Sequence, residues 1–142
     1  MGTRQPSLAV DCVVFDPVRR LLLIHRKNPP FQGLHALPGG YVEYGETTEH
    51  AAARELLEET GLMAVNLSLI GVYSDPHRDP RGHVVSIAYR AEVAGYGLRA
   101  GDDAAAAAFV PNWKGLELAF DHRRIVEDAV SNYSGCGAAD EG

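Results

Sequence analysis

Glu55, Glu58 and Glu59, with Arg54 beside them and the bend Pro38-Gly39-Gly40 upstream, are the residues whose types and spacing could do chemistry. On a helix advancing about 100° per residue the three glutamates fall within one sector roughly 100° wide, with Ala52, Ala53, Leu56, Leu57 and Thr60 on the opposite side. Glu55 and Glu59 lie one turn apart, a like-charge pair that works against an isolated helix. Arg54 offers compensation only through Glu58. Converging carboxylates so little neutralised suit a hard divalent cation, Mg²⁺ or Mn²⁺, which takes oxygen ligands together with water and phosphate. The plainer alternative is a solvated face on an acidic protein. Glycines at 39 and 40 remove Cβ atoms where the chain turns tightly, so backbone carbonyls there can approach an ion, and Gly45 allows a second turn into Glu46.

These residues need elements to position them. Thr47 to Thr60 reads as a helix, with Thr47 able to cap its start and Gly61 suited to the left-handed position after its end. Leu8 to Phe15 and Leu21 to His25 read as strands joined by the Asp16-Pro17 turn, which suggests a hairpin. Asn28 to Gly40 is a shaped loop broken only by the apolar piece His35 to Leu37. Asn66 to Ser74 and His83 to Glu92 are further strands around the turn Asp75 to Gly82, and Phe109-Val110 ends one more. Ala119 to Val130 has helical spacing, with Asp121 as a cap in its first turn and residues 133–142 expected to fray. Strands mixed with two helices in this order imply an α/β chain with a mixed sheet between helices, and the 142 residues are expected to form one domain spanning 1–142.

From Gly40 to Leu62 the chain resembles, position by position, the signature of the Nudix hydrolases. Gly40, Glu46 and the run Arg54-Glu55-Leu56-Leu57-Glu58-Glu59-Thr60-Gly61-Leu62 carry the match. The resemblance implies a Nudix-type α/β/α sandwich, metals held by Glu55, Glu58 and Glu59 with the Gly39 carbonyl as a further ligand, Arg54 orienting the glutamates, and Glu46 supporting the loop. The implied reaction is hydrolysis of a pyrophosphate bond, in which metals relieve repulsion between water and an anionic group. For the base, many relatives use a carboxylate on a late loop. Gly101-Asp102-Asp103 is the fitting place, which leaves Asp103 or a glutamate of the motif; Ala104 to Ala108 has no glutamate where relatives often carry one.

Pro76, within Tyr73 to His83, resembles the marker proline of the ADP-ribose pyrophosphatase branch, and Ala119-Phe120-Asp121-His122 also looks like that branch; His35 departs from the tryptophan common there. The resemblance makes ADP-ribose the expected substrate, cleaved to AMP and ribose 5-phosphate. Arg26, Arg78 and Arg81 are candidate contacts to its phosphate or ribose. The rival activities are pyrophosphate release from a nucleoside triphosphate, and non-catalytic sensing of ADP-ribose coupled to a DNA-binding module. The retained carboxylates and the lack of a helix-turn-helix segment weigh against the sensor.

A net charge of -6 without a basic run argues against a long nucleic-acid partner. No apolar run reaches the length of a membrane span and the start lacks a signal peptide's core, so a cytoplasmic setting is expected. Cys12 and Cys136 read as incidental thiols. Relatives of the branch suggest a homodimer.

Overall fold

A computed structural model of the chain describes residues 4–98 and 107–141, with side chains as far as residue 131. The strands are β1 Ser7–Val13, β2 Leu21–His25, β3 His35–Ala36, β4 Gly39–Tyr41, β5 Ala64–Tyr73, β6 Val84–Val93 and β7 Ala107–Val110, with helices α1 Thr48–Thr60 and α2 His122–Glu141. A four-stranded sheet has the order β4-β1-β6-β5, and a three-stranded sheet has the order β3-β2-β7. β1 runs parallel to β6 and antiparallel to β4, so the larger sheet is mixed.

The apolar run at the end of β1 is buried on both faces. Val10, Cys12 and Val14 pack with Ala51, Ala52 and Leu56 of α1, whereas Val13 joins Ile125, Val126 and Ala129 of α2. β2 divides the same way, Leu22 toward α1 and Leu21 with Leu23 toward α2. Side chains alternate across a strand, so a continuous apolar run can serve two helices at once. The result is the expected α/β/α sandwich.

Two expectations need correction. The turn after β1 forms, but the hairpin does not extend: beyond the bridge Phe15–Leu21 and the bond from Leu22 N–H to Val14 C=O at 2.9 Å, β1 and β2 enter different sheets. Each finds better partners at a distance, β1 in β6 and β2 in β7. The last helix also starts later, at His122, and its backbone continues to Glu141. Asp121 lends this helix its main-chain carbonyl, accepting from Arg124 and Ile125 N–H, while its carboxylate goes elsewhere.

α1 is capped at both ends. Thr47 Oγ1 accepts from His50 N–H at 3.0 Å, and Gly61 takes a left-handed φ of 78° while its N–H reaches Leu57 C=O. Its buried stripe is rotated from the one spacing alone suggests. Ala51, Ala52, Leu56 and Thr60 are buried, whereas Leu57 is 40% exposed. Glu55 and Glu59 follow Ala51 at one-turn intervals and are half-buried, while Glu58 faces outward.

Candidate active site

The glycine bend and α1 meet as closely as backbone and side chain can. A Cβ on Gly40 would lie 2.2 Å from Glu55 Oε2, and one on Gly39 would lie 2.2 Å from the Val10 carbonyl oxygen and 2.7 Å from Asp11 Oδ1. Only glycine allows that approach. Gly39 N–H donates to Glu59 Oε1 at 2.7 Å, tying the bend to the helix.

Arg54 secures the other side. Its Nε and Nη2 donate to both oxygens of Glu46 at 2.6 and 2.9 Å, its Nη2 also reaches the Tyr41 carbonyl at 3.1 Å, and its Nη1 lies 3.2 Å from both Glu55 Oε2 and Glu58 Oε1. Such a two-pronged pair fixes orientation as well as charge. Arg54 drives the Glu46 carboxyl down to about 2. One guanidinium therefore joins the loop before α1 to the carboxylates on it.

The motif glutamates differ in surroundings. Burial, followed by the charges of Glu55, Asp11 and Glu58, pushes Glu59 up to about 8 despite the Gly39 N–H. Burial also raises Glu55, with Arg54 opposing. Both carboxylates are forced upward by lost water, Glu59 also by Glu55, and Glu55 by Glu58 and Glu46, so the cluster is short of positive charge. Among the described residues no three carboxylate, imidazole or thiol side chains form a finished cation cage; Arg54 engages Glu55 and Glu58 while Gly39 N–H engages Glu59. The donor set nevertheless fits a hard cation: carboxylate oxygens, too little counter-charge, and main chain admitted by missing Cβ atoms.

A cleft joins these groups to the arginine-bearing loop. It is lined by Asp11, Gly39, Gly40, Tyr41 and Glu59 together with Arg26, Arg78, Asp79, Arg81 and Phe120. Arg78 is held bidentately by Asp121, at 2.8 Å from Nε and 2.6 Å from Nη2, and its side chain is 5% exposed. Arg81 pairs with Asp79 at 2.8 Å and remains half exposed. Arg26 donates to the carbonyls of Pro30 and Asn28. Pro76 sits on an exposed turn outside the cleft lining. Asp102 and Asp103 lie outside the described residues.

Sequence reasoning missed Asp11. Ser86 Oγ donates to its Oδ2 at 2.5 Å, and His122 Nε2 lies 3.3 Å from its Oδ1. Leu37 N–H donates to His122 Nδ1 at 3.0 Å, so the ring proton sits on Nε2, facing Asp11. Burial works to raise Asp11 and is outweighed by His122, Ser86 and Arg78, which hold the carboxyl below its usual range. A lone carboxylate inside an apolar strand was the available signal. By contrast, burial first, with Asp11 next, raises the Cys12 thiol and disfavours its thiolate.

The match that decides the family spans most of the fold: the NUDIX domain model covers residues 5–129. The chain belongs to the Nudix family. It is 53% identical over 123 residues to an ADP-ribose pyrophosphatase of Methanocaldococcus jannaschii, the match covering 87% of this chain and 72% of that protein. It is 32% identical over 137 residues to an ADPR-responsive transcriptional repressor, NtrR, of Acinetobacter baylyi, covering 89% of this chain and 54% of the relative, so it spans only about half of that protein. Among solved structures, the NUDIX domain of Shewanella oneidensis NrtR, complexed with ADP ribose, superposes with a TM-score of 0.84 at 28% identity, over 92% of this chain and 90% of that one. This Nudix chain is a pyrophosphohydrolase, with its motif glutamates on α1 and its glycine bend on β4. No helix among the described residues is long and apolar enough to cross a membrane.

Proposed function

We propose that this Nudix hydrolase cuts the pyrophosphate bond of ADP-ribose, giving AMP and ribose 5-phosphate, with Mg²⁺ or Mn²⁺ held by Glu55, Glu58, Glu59 and the Gly39 carbonyl. The observation that carries the reading is the close approach of a glycine bend to the α1 carboxylates, Gly40 against Glu55 and Gly39 N–H on Glu59 at 2.7 Å, in a cleft also lined by arginines. The likeness to proteins named for ADP-ribose supports the substrate. When bound, such cations neutralise the anionic substrate and acidify coordinated water.

The chain's own residues supply the rest. Arg54 keeps Glu55 and Glu58 within reach of the bend while anchoring its loop through Glu46. Arg26 and Arg81 contact the substrate; Arg78, saturated by Asp121, belongs to the scaffold that places them. Glu59 and Asp103 are the two candidate proton acceptors, and Asp103→Asn and Glu59→Gln rate–pH profiles separate them.

The test is product analysis with Mg²⁺ over ADP-ribose, dinucleoside polyphosphates, NADH and nucleoside triphosphates. AMP with ribose 5-phosphate from ADP-ribose as the fastest reaction is expected. Faster release of inorganic pyrophosphate from a triphosphate overturns the substrate assignment. A sensor role, the reading favoured by the likeness to the repressor, requires tight binding of ADP-ribose without turnover.

A further inference from the structure

Phe120, two residues before the start of α2, has a backbone φ of 55°, and Phe31, in the loop before β3, has a φ of 59°. Bulky L-residues rarely enter this left-handed region, and they stay there when the surrounding structure dictates it. The two rings meet edge to face with centroids 4.8 Å apart. Phe120 in turn carries two guanidinium groups, Arg26 at 5.0 Å and Arg81 at 5.6 Å from its centroid. All three side chains line the cleft that holds Gly39 and Glu59.

Two cations drawn to one ring repel each other. Burial, and then Arg81, hold Arg26 below the usual arginine range. Asp79 answers Arg81 at 2.8 Å, but among the described residues no carboxylate lies within ion-pair distance of Arg26. Its guanidinium leans on carbonyl oxygens, at 2.8 Å from Pro30 and 3.5 Å from Asn28. Half-buried positive charge at Arg26 thus lines the cleft with no carboxylate bonded to it, drawn only at longer range by Asp79 and Glu59. A ring face attracts such cations and holds their planes in place, an effect that strengthens where water is excluded.

We propose that Phe120 is a positioning residue that mounts Arg26 and Arg81 as a two-guanidinium seat for the substrate phosphate lying away from the α1 glutamates. The proposal rests on the reading that the cleft takes a diphosphate ester. A mere plug between loop and helix would be served by an aliphatic side chain on ordinary backbone. The seat needs the ring.

Phe120→Gly removes the ring and also relieves the positive φ, so strain does not endanger its fold. The expected result is a KM for ADP-ribose raised about tenfold with little change in kcat, and a similar loss of affinity for ribose 5-phosphate titrated without divalent cation. Phe120→Tyr, which keeps a ring face, restores both. Arg26→Gln raises KM in the wild-type background and adds little on top of Phe120→Gly, because the two side chains act through one contact. Phe120 also packs on Ile24, Ala36 and Ala119. Should Phe120→Gly therefore melt early, ribose 5-phosphate affinities of Arg26→Gln, Arg81→Gln and the double variant, with the ring kept, carry the comparison: losses in both single variants support the seat, and no loss overturns it. The proposal is overturned by unchanged KM and ribose 5-phosphate affinity, by a fall in kcat at constant KM, or by additive effects of the Arg26 and Phe120 changes. If the wild-type chain leaves ADP-ribose intact, the substrate assignment fails by itself. The ribose 5-phosphate titration needs no turnover and still decides the seat.

Discussion

Glu59 and Arg78 line the same cleft, both largely removed from water, yet the carboxylate is left short of counter-charge while the guanidinium is saturated with it. Glu59 has one N–H bond, from Gly39, against the charges of Glu55, Asp11 and Glu58. Arg78 has the two-pronged grip of Asp121, with Asp11 3.8 Å away. A charge with its partners already in place holds the walls together, whereas one without them invites something from outside. By that standard Glu59 on α1 is the side chain that invites a partner, whereas Arg78, on the loop around residues 75–82, is built for support.

The contrast breaks most easily at Glu59. Glu59→Gln is expected to lower kcat/KM by about a thousandfold while leaving the fold intact, measured as steady-state turnover with Mg²⁺. Activity retained within about tenfold would remove α1 from the chemistry. The supporting wall should respond in stability instead. Asp121→Asn leaves Arg78 buried with half its answer gone and is expected to cost about 3 kcal/mol in urea unfolding. Arg26→Gln should cost no more than about 0.5 kcal/mol in the same measurement. Equal losses would erase the distinction between scaffold and ligand arginines.

The smallest effect sharpens the acidic wall. Glu59 titrates above its unfolded value, at about 8 against an ordinary 4.5, so its protonated form favours the folded state. That contribution is whole below pH 4.5 and is lost as pH rises through 8. With chelator present, the wild-type Tm should fall over this window by a few degrees more than that of Glu59→Gln. Added Mg²⁺ should offset the difference most at the alkaline end, since ligands bind metal deprotonated. Parallel Tm curves for the two proteins would show that Glu59 is not under that pressure.

What the sequence revealed and what it hid divide along the same line. α1 was legible because its signals are local: Thr47 and Gly61 mark its ends, and Glu55, Glu58 and Glu59 share a face by spacing alone. The strands were legible for the same reason. The pairing that sends β1 and β2 into different sheets depends on β6 and β7, far along the chain. The supporting wall depends on similar separations along the chain, Arg78 reaching Asp121 over 43 residues and Leu37 reaching His122 over 85. Asp121 suits a helix cap by position, and only the fold shows that its carboxylate is needed by Arg78. The buried stripe of α1 was misjudged by part of a turn, because Ala53 and Leu57, which spacing puts inside, are as apolar as the buried Ala51 and Leu56, and the sheet, not hydrophobicity, decides which side is covered.

α1 is fixed at both ends by its caps and along its length by Ala52 and Leu56 against the sheet, so the roots of Glu55 and Glu59 are set about 6 Å apart by helical pitch, whatever lies between them. The bend opposite is equally unyielding, since Gly39 is packed against Val10 and Asp11. A cation held there, as proposed, would meet donors whose spacing it cannot widen, so Mg²⁺, with bonds of about 2.1 Å, and Ca²⁺, with bonds of about 2.4 Å, would be told apart by ionic radius.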